Sequence, residues 1–289
     1  MSADFSEPAP VAGSDVPTAS PAASDGLDAS TVESVLTEGS LELAGRLTQA
    51  SNASFLGTVT LDAVSLACVY KPVTGERPLW DFPTGTLAAR ERAARVVSEA
   101  GGWCVVPPTV LRDGRFGTGM VQRWIDVDPE AELIDVVSPD ADAPGWIAVL
   151  EAEDQFGRPL LLVHADDERL RTMAVLDVVL NNADRKGGHV LPDGSGRVWG
   201  CDHGVTFHEE TKLRTVLWGW ADDPLREQDV AALERLAAAI DDARTGRELR
   251  LLLSATEISA LRRRVRKLLR RGVMPSPAGS WPAIPWPAL

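Results

Sequence analysis

Only three cysteines occur in the 289 residues, Cys68, Cys104 and Cys201, and none stands in a Cys-x-x-Cys spacing. That excludes a disulfide framework and a thiolate zinc site, and it predicts a reducing, cytoplasmic setting. Basic residues are in deficit: 29 Lys and Arg face 42 Asp and Glu, a net charge of -13. Phosphate neutralisation needs concentrated Lys and Arg, so the balance argues against a general nucleic-acid binder. No apolar run is long enough to span a bilayer, and the N-terminal stretch lacks the apolar core of a signal peptide. A Gly-x-x-x-x-Gly-Lys-Ser/Thr phosphate loop is absent. Histidine is scarce, and the spacing of His189, His203 and His208 matches no zinc pattern.

What is present is ordinary globular material, 44% hydrophobic and 25% charged, enough for one large domain or two lobes. Residues 1–36 are rich in Ala, Pro, Ser and Asp and carry no Lys or Arg, which predicts a disordered tail. Strands follow at 41–47, 55–61 and 64–70, the last running into Lys71-Pro72. The polar loop between the first two contains Ser51, Asn52 and Ser54, whose side chains and neighbouring N–H groups can cover phosphates. Thr86 is positioned to cap a helix that carries Glu91 and stops at Gly101-Gly102. Strands at 105–111 and 118–125 flank the turn Asp113-Gly114. A short helix and a Pro/Asp-rich loop are expected over 126–145, then a hairpin pairing 146–150 with 159–164.

The centre of the chain is residues 176–207, LDVVLNNADRKGGHVLPDGSGRVWGCDHGVTF. The segment before it is apolar nearly all round at helical length, which predicts a buried helix ended by Asn181-Asn182. Asp177 inside that helix is expected to bond the backbone of the following loop. A hairpin then turns through Pro192-Asp193-Gly194-Ser195-Gly196, with Asp184 before it and Asp202-His203-Gly204 after it. Buried helix, polar loop, hairpin and Asp-x-Gly is the order in which kinase-like folds build the floor of an active site. One carboxylate there receives the proton of the attacking hydroxyl, and the other holds a divalent cation against the phosphates.

Asn-x-Asp-Arg-x-x-x-His, the hairpin and Asp-His-Gly resemble the catalytic and metal-binding motifs of phosphatidylinositol 3-/4-kinase-like and HipA-like kinases. More closely, the chain resembles an actinobacterial family with such a catalytic domain, from about residue 37 onward. The resemblance implies a two-lobed α+β protein-kinase-like fold, with a β-rich N-lobe and a mainly helical C-lobe. It implies ATP with Mg²⁺ or Mn²⁺ as cofactors and a hydroxyl acceptor on a protein, lipid or metabolite. Asp184 takes the catalytic position, Lys186 reaches the γ-phosphate, and Asp202 is the principal metal ligand. His189 stands where kinases usually place a metal-binding Asn, and imidazole suits Mn²⁺ better than Mg²⁺. Lys71 corresponds to the strand Lys that meets the α- and β-phosphates, with Glu91 as its partner. The segment 120–125 corresponds to the link between lobes, where backbone groups from Gln122 to Trp124 would bond adenine. Residues 213–220 fall where kinases place an activation segment, without the Ala-Pro-Glu end of protein kinases.

Two further helices are expected, over 224–245 and 254–271, the second opened by the capping box Ser254-x-x-Glu257. Its apolar face is opposed by a basic one that can be solvated or meet anionic lipid. The Pro/Trp-rich end, 275–289, reads as an irregular arm anchored by Trp281 and Trp286. The expected division is therefore a tail over 1–36, an N-lobe over 37–125, a C-lobe over 126–272 and an arm over 273–289. Two other functions fit the motifs: a catalytically weak nucleotide-binding regulator of the same fold, and a metal-dependent phosphohydrolase using the Asp/His cluster.

Overall fold

The computed structural model describes residues 10–11, 26–47, 52–141, 143–277 and 282–289. The chain is mixed α and β, with strands concentrated in its first half and helices in its second. It divides into two compact units, one formed by Met1–Arg95 with Val106–Ile125, the other by Val96–Val105 with Asp126–Leu289.

The first unit is built on a six-stranded sheet. Its strands are β1 (Pro10–Val11), β2 (Ser40–Leu47), β3 (Phe55–Leu61), β4 (Val64–Pro72), β5 (Thr109–Gly114) and β6 (Gly117–Arg123). They lie in the order β1-β2-β3-β4-β6-β5. Side chains alternate between faces along a strand, so Leu66, Cys68 and Tyr70 of β4 share one buried face. Phe55, Val59, Val110 and Val121 complete that layer. Burial among them pushes the Cys68 thiol up to about 12.

Helix α1 (Ala29–Glu38) lies against this core. Residues 29–36 were expected within the disordered tail, and here the structure differs. Asp28 accepts the N–H groups of Ser30 and Thr31 at 2.9 Å each, capping the helix. Val32, Val35 and Leu36 then bury one helical face. Arg112 donates to the carbonyls of Leu36 and Gly39 at 3.0 and 2.8 Å, which satisfies the other end. The local composition is polar enough to read as tail, but three apolar residues at helical spacing suffice once a sheet face receives them. Most of the rest of the predicted tail lies outside the described residues.

Helix α2 (Leu87–Gly101) begins in this unit. Thr86 holds the cap position, its carbonyl accepting the Arg90 N–H at 3.2 Å, but its hydroxyl donates to the Pro83 carbonyl and does not cap the free N–H groups. Glu76 caps them instead, its carboxylate accepting the Leu87 and Ala88 N–H groups at 3.1 and 2.9 Å. A carboxylate at a helix N-terminus also meets the positive end of the dipole.

The second unit contains a three-stranded antiparallel sheet, β7 (Ile134–Val137), β8 (Trp146–Glu153) and β9 (Pro159–Ala165), in the order β7-β9-β8. The short helix expected over 126–145 does not form; this stretch contains β7, which pairs with β9. Helix α3 (Glu168–Leu180) is buried nearly all round, as its apolar sequence predicts, and Asn181 ends it in the left-handed conformation. The hairpin β10 (Val190–Pro192) and β11 (Val198–Gly200) follows.

Three helices complete this unit: α4 (Glu227–Asp241), α5 (Thr245–Leu252) and α6 (Ala255–Arg271). A single helix was expected over 224–245; α5 is an additional one, separated by a break at Asp242. The capping box at Ser254 forms as expected, with Glu257 accepting the Ser254 N–H at 2.8 Å. Ile258, Leu261, Val265 and Leu268 of α6 are buried, each contributing roughly 1.5–3 kcal/mol of apolar transfer.

The arm departs from expectation. Trp286 is 83% exposed and anchors nothing, while Trp281 lies outside the described residues. Main-chain carbonyls hold the segment instead: Ala283 accepts from Thr215 N–H at 3.0 Å, and Ala288 from Gly187 N–H at 2.8 Å.

Candidate active site

In the first unit, Lys71 stands near the end of β4 and Glu91 on α2. Lys71 Nζ donates to Glu91 Oε1 at 3.0 Å, and Glu91 is 2% exposed. A Cβ on Gly119 would lie 2.5 Å from the Lys71 carbonyl oxygen, so glycine is required for β6 to pass this close to the lysine backbone.

In the second unit, the loop after α3 is ordered by its own polar groups. Asn181 donates to the carbonyls of His208 and Glu210 and accepts the Lys212 N–H. Asn182 Oδ1 accepts the Asp184 N–H at 3.0 Å, aiming the residue that follows. Arg185 is wholly buried and reaches in several directions. It forks onto Asp177, with contacts of 3.0–3.2 Å, donates to the carbonyls of His189 and Cys201, and meets His203 Nε2 at 2.7 Å. Burial opposes the Arg185 charge, but Asp177 outweighs it and raises the guanidinium above its ordinary value. Asp177 also accepts from the Asn182 amide and the Thr215 hydroxyl, at 2.9 and 3.2 Å. Its carboxylate thus holds the loop through side chains, while its carbonyl accepts the Asn182 N–H at 2.9 Å.

On this framework Lys186 Nζ lies 3.3 Å from Asp184 Oδ2. His189 Nδ1 meets the Asp184 carbonyl oxygen at 2.9 Å. A carbonyl only accepts, so Nδ1 carries the proton and the Nε2 lone pair points elsewhere. It faces Asp202 Oδ2 at 3.3 Å. Burial holds the imidazole below its ordinary pKa, against the opposing pull of Asp202. Asp202 itself sits at φ 59°, a left-handed conformation that Asp adopts more readily than most residues.

Two acceptor atoms facing each other suit a cation between them, and an N/O pair fits Mn²⁺ or Mg²⁺ completed by phosphate oxygens and water. Among the described residues no group of three or more His, Cys, Asp or Glu side chains gathers as a metal site.

No family model matches the sequence. Protein Rv2133c of Mycobacterium tuberculosis (strain ATCC 25618 / H37Rv) is 51% identical over 267 residues, which covers 88% of this chain and 94% of that protein. The chain belongs to the family of that protein. Among solved structures, the Golgi casein kinase with Mn and ADP bound matches with a TM-score of 0.51 at 13% identity, over 84% of this chain and 74% of that one. Hydra Fam20, solved with sugar, matches with a TM-score of 0.48 at 13% identity, over 85% and 90%. At such identities the likeness to the Golgi casein kinase is one of fold, and the fold is kinase-like.

Several of the groups around the expected nucleotide site make internal hydrogen bonds. Asn52 Oδ1 accepts the Arg77 N–H at 2.8 Å, and the buried Ser54 hydroxyl points to the Asn52 carbonyl at 3.4 Å. Ser51 lies outside the described residues. Gln122 donates its amide to the Thr109 hydroxyl at 2.8 Å, and the Trp124 N–H donates to the Ala67 carbonyl at 2.9 Å. With Arg123 N–H given to Pro108, neither the Arg123 nor the Trp124 N–H is open to a base. Except for Ser54, whose partner is local, these groups look available in sequence because their partners come from other segments.

Arg185 is the residue that sequence reasoning missed. Its signal was indirect: an Asp within an apolar helix, eight residues before an Arg, calls for a buried cation.

Proposed function

We propose that the chain is an ATP- and divalent-metal-dependent phosphotransferase of the phosphatidylinositol 3-/4-kinase-like type, acting on a hydroxyl acceptor. The observation that carries the reading is the Lys71–Glu91 ion pair, formed between a strand end and a helix of a kinase-like fold. Glu91 holds the ammonium where it can meet the α- and β-phosphates. Asp184, aimed by Asn182, accepts the proton as the acceptor oxygen bonds to the γ-phosphorus and the bond to ADP breaks. Lys186, beside it, contacts the γ-phosphate oxygens. Asp202 and His189 Nε2 would hold the cation, which when bound neutralises charge on the phosphates. The three cysteines are all free thiols, which agrees with action in the reducing cytoplasm.

ATP binding and turnover, measured with Mg²⁺ and with Mn²⁺, test this in wild type, Lys71→Ala, Asp184→Ala and Asp202→Ala. Metal-dependent turnover, abolished in all three variants, is the expected result. A hydrolase using the Asp/His cluster would survive Lys71→Ala. A second reading, a weakly catalytic nucleotide-binding regulator, is favoured by the commitment of Asn52 and Ser54 to internal bonds. It predicts binding without turnover in the wild type, even with a range of hydroxyl acceptors. No nucleotide binding with either metal would overturn both.

A further inference from the structure

The second unit contains a pocket away from the Asp184 loop, between the end of α3, the segment 211–218 and the far half of α6. It encloses about 720 Å³, the open space at its mouth included. Val178, Leu213, Trp218 and Leu268 give it apolar walls.

The polar groups around it sort cleanly. Asn181 is fully engaged with the 208–212 backbone, Trp218 Nε1 donates to the Ala283 carbonyl, and Ser276 gives its hydroxyl to Asp222. Apart from Thr211, what remains is cationic: Arg264, Lys267 and Arg271 line the pocket, and none of its lining residues is acidic. This is unexpected in a chain with a net charge of -13.

Arg264 is the most telling of the three. Its Nε donates to the Val179 carbonyl at 2.9 Å and its Nη1 to the His208 carbonyl at 3.2 Å, which fixes the guanidinium plane. Its Nη2 is buried and has no hydrogen-bond partner among the described residues. Burial, with Arg263 adding to it, pulls this guanidinium down to about 9. A buried donor left unmade costs free energy, and the guanidinium that carries it belongs to a residue lining the pocket.

We propose that this pocket binds a small amphiphilic anion: an apolar body against Trp218, Leu213 and Leu268, and a carboxylate or phosphate head met by Arg264, Lys267 and Arg271. The apolar walls make the body necessary, and the three cations without a carboxylate make the negative head necessary. The occupant is a single molecule within the pocket, not a membrane laid on the basic face of α6.

Calorimetric titration of the full chain with octanoate, octyl phosphate, 1-octanol and inorganic phosphate tests this. Saturable one-to-one binding of at least one amphiphilic anion is expected, at least tenfold tighter than octanol or inorganic phosphate. Arg264→Gln would remove binding but also disturbs two backbone contacts. The exposed pair Lys267→Gln and Arg271→Gln therefore serves as the second variant, expected to weaken the anion at least fivefold with an unchanged melting temperature. Equal binding of octanol and octanoate would overturn the proposal, as would anion binding indifferent to the double variant. So would binding of phosphatidylserine vesicles with none of the monomeric amphiphiles.

Discussion

Glu91 has little exposure and pairs with Lys71, and its replacement separates positioning from folding. Glu91→Gln keeps the shape and a hydrogen-bond acceptor but removes the charge opposite Lys71. On the proposed reading, kcat/KM for ATP falls by about 10²–10³, the range for losing one organised electrostatic group at a reacting centre. A change under threefold in an ATP turnover assay would detach this pair from the chemistry. His164 offers a prediction of a different kind, independent of function. It is fully buried against Trp220, with Nδ1 on the Ala165 carbonyl at 2.8 Å and Nε2 accepting the Gly219 N–H at 3.0 Å. Burial holds its pKa below the ordinary 6.5. The unfolded chain therefore takes up this proton first as acid is added. Stability is intact above pH 6.5 and declines as pH falls below it, by up to about 1.4 kcal/mol per pH unit for one proton. His189 titrates in the same sense. In urea melts from pH 7.5 to 5, His164→Gln should flatten part of the slope; an unchanged slope would show that His164 is protonated in the fold.

At the level of elements, α3 and the loop it delivers form one unit locked by Asp177 and Arg185. Both side chains are wholly inaccessible and bonded to each other at 3.0 Å. Removing one member strands the other charge in the interior, so Asp177→Ala should cost about 3–5 kcal/mol in denaturant unfolding. A loss below about 1 kcal/mol would mean that water reaches Arg185. The same elements separate what was legible in the sequence from what was not. Helix α6 and strand β4 could be read because period and burial agree, and α3 and β3 because apolar runs of the right length are buried on nearly every side. The Lys71–Glu91 pairing and the order of Asp184, Lys186, His189 and Asp202 were legible through motif order. Strand β7 was not, because Ile134–Val137 is too short to show a period and exists through pairing with β9. Nor was the Glu76 cap of α2, since it reaches the helix from eleven residues away, outside any local capping pattern. The commitments of Asn52, Gln122 and the Trp124 N–H were hidden for the same reason.

On the scale of the whole molecule, the segment 282–289 returns along a chain of nearly 290 residues to the middle of the second unit. It is fastened there by backbone, not by its tryptophan. The Ala283 carbonyl accepts from Thr215 N–H and from Trp218 Nε1, at 3.0 and 2.9 Å, and the Ala288 carbonyl from Gly187 N–H at 2.8 Å. Gly187 is a glycine for a reason: a Cβ there would come 2.5 Å from Leu289 Cδ2. Gly187 directly follows Lys186, and Thr215 forms a bridge with Arg185, so this arm touches the loop that carries Asp184 at Gly187 and the segment bridged to it at Thr215. Deleting residues 282–289 should free the Gly187 and Thr215 amides, raising their hydrogen–deuterium exchange at least tenfold. At about 1 kcal/mol per hydrogen bond, the unit as a whole should lose only about 1–3 kcal/mol. The pattern matters more than the sum. Exchange that rises at residues 185–187 and 214–218 alone marks the arm as a local clamp on the Asp184 loop; exchange that rises uniformly across α3, α4 and α6 would make it part of the global core, and unchanged exchange at Gly187 would mean that the contact is not held in solution.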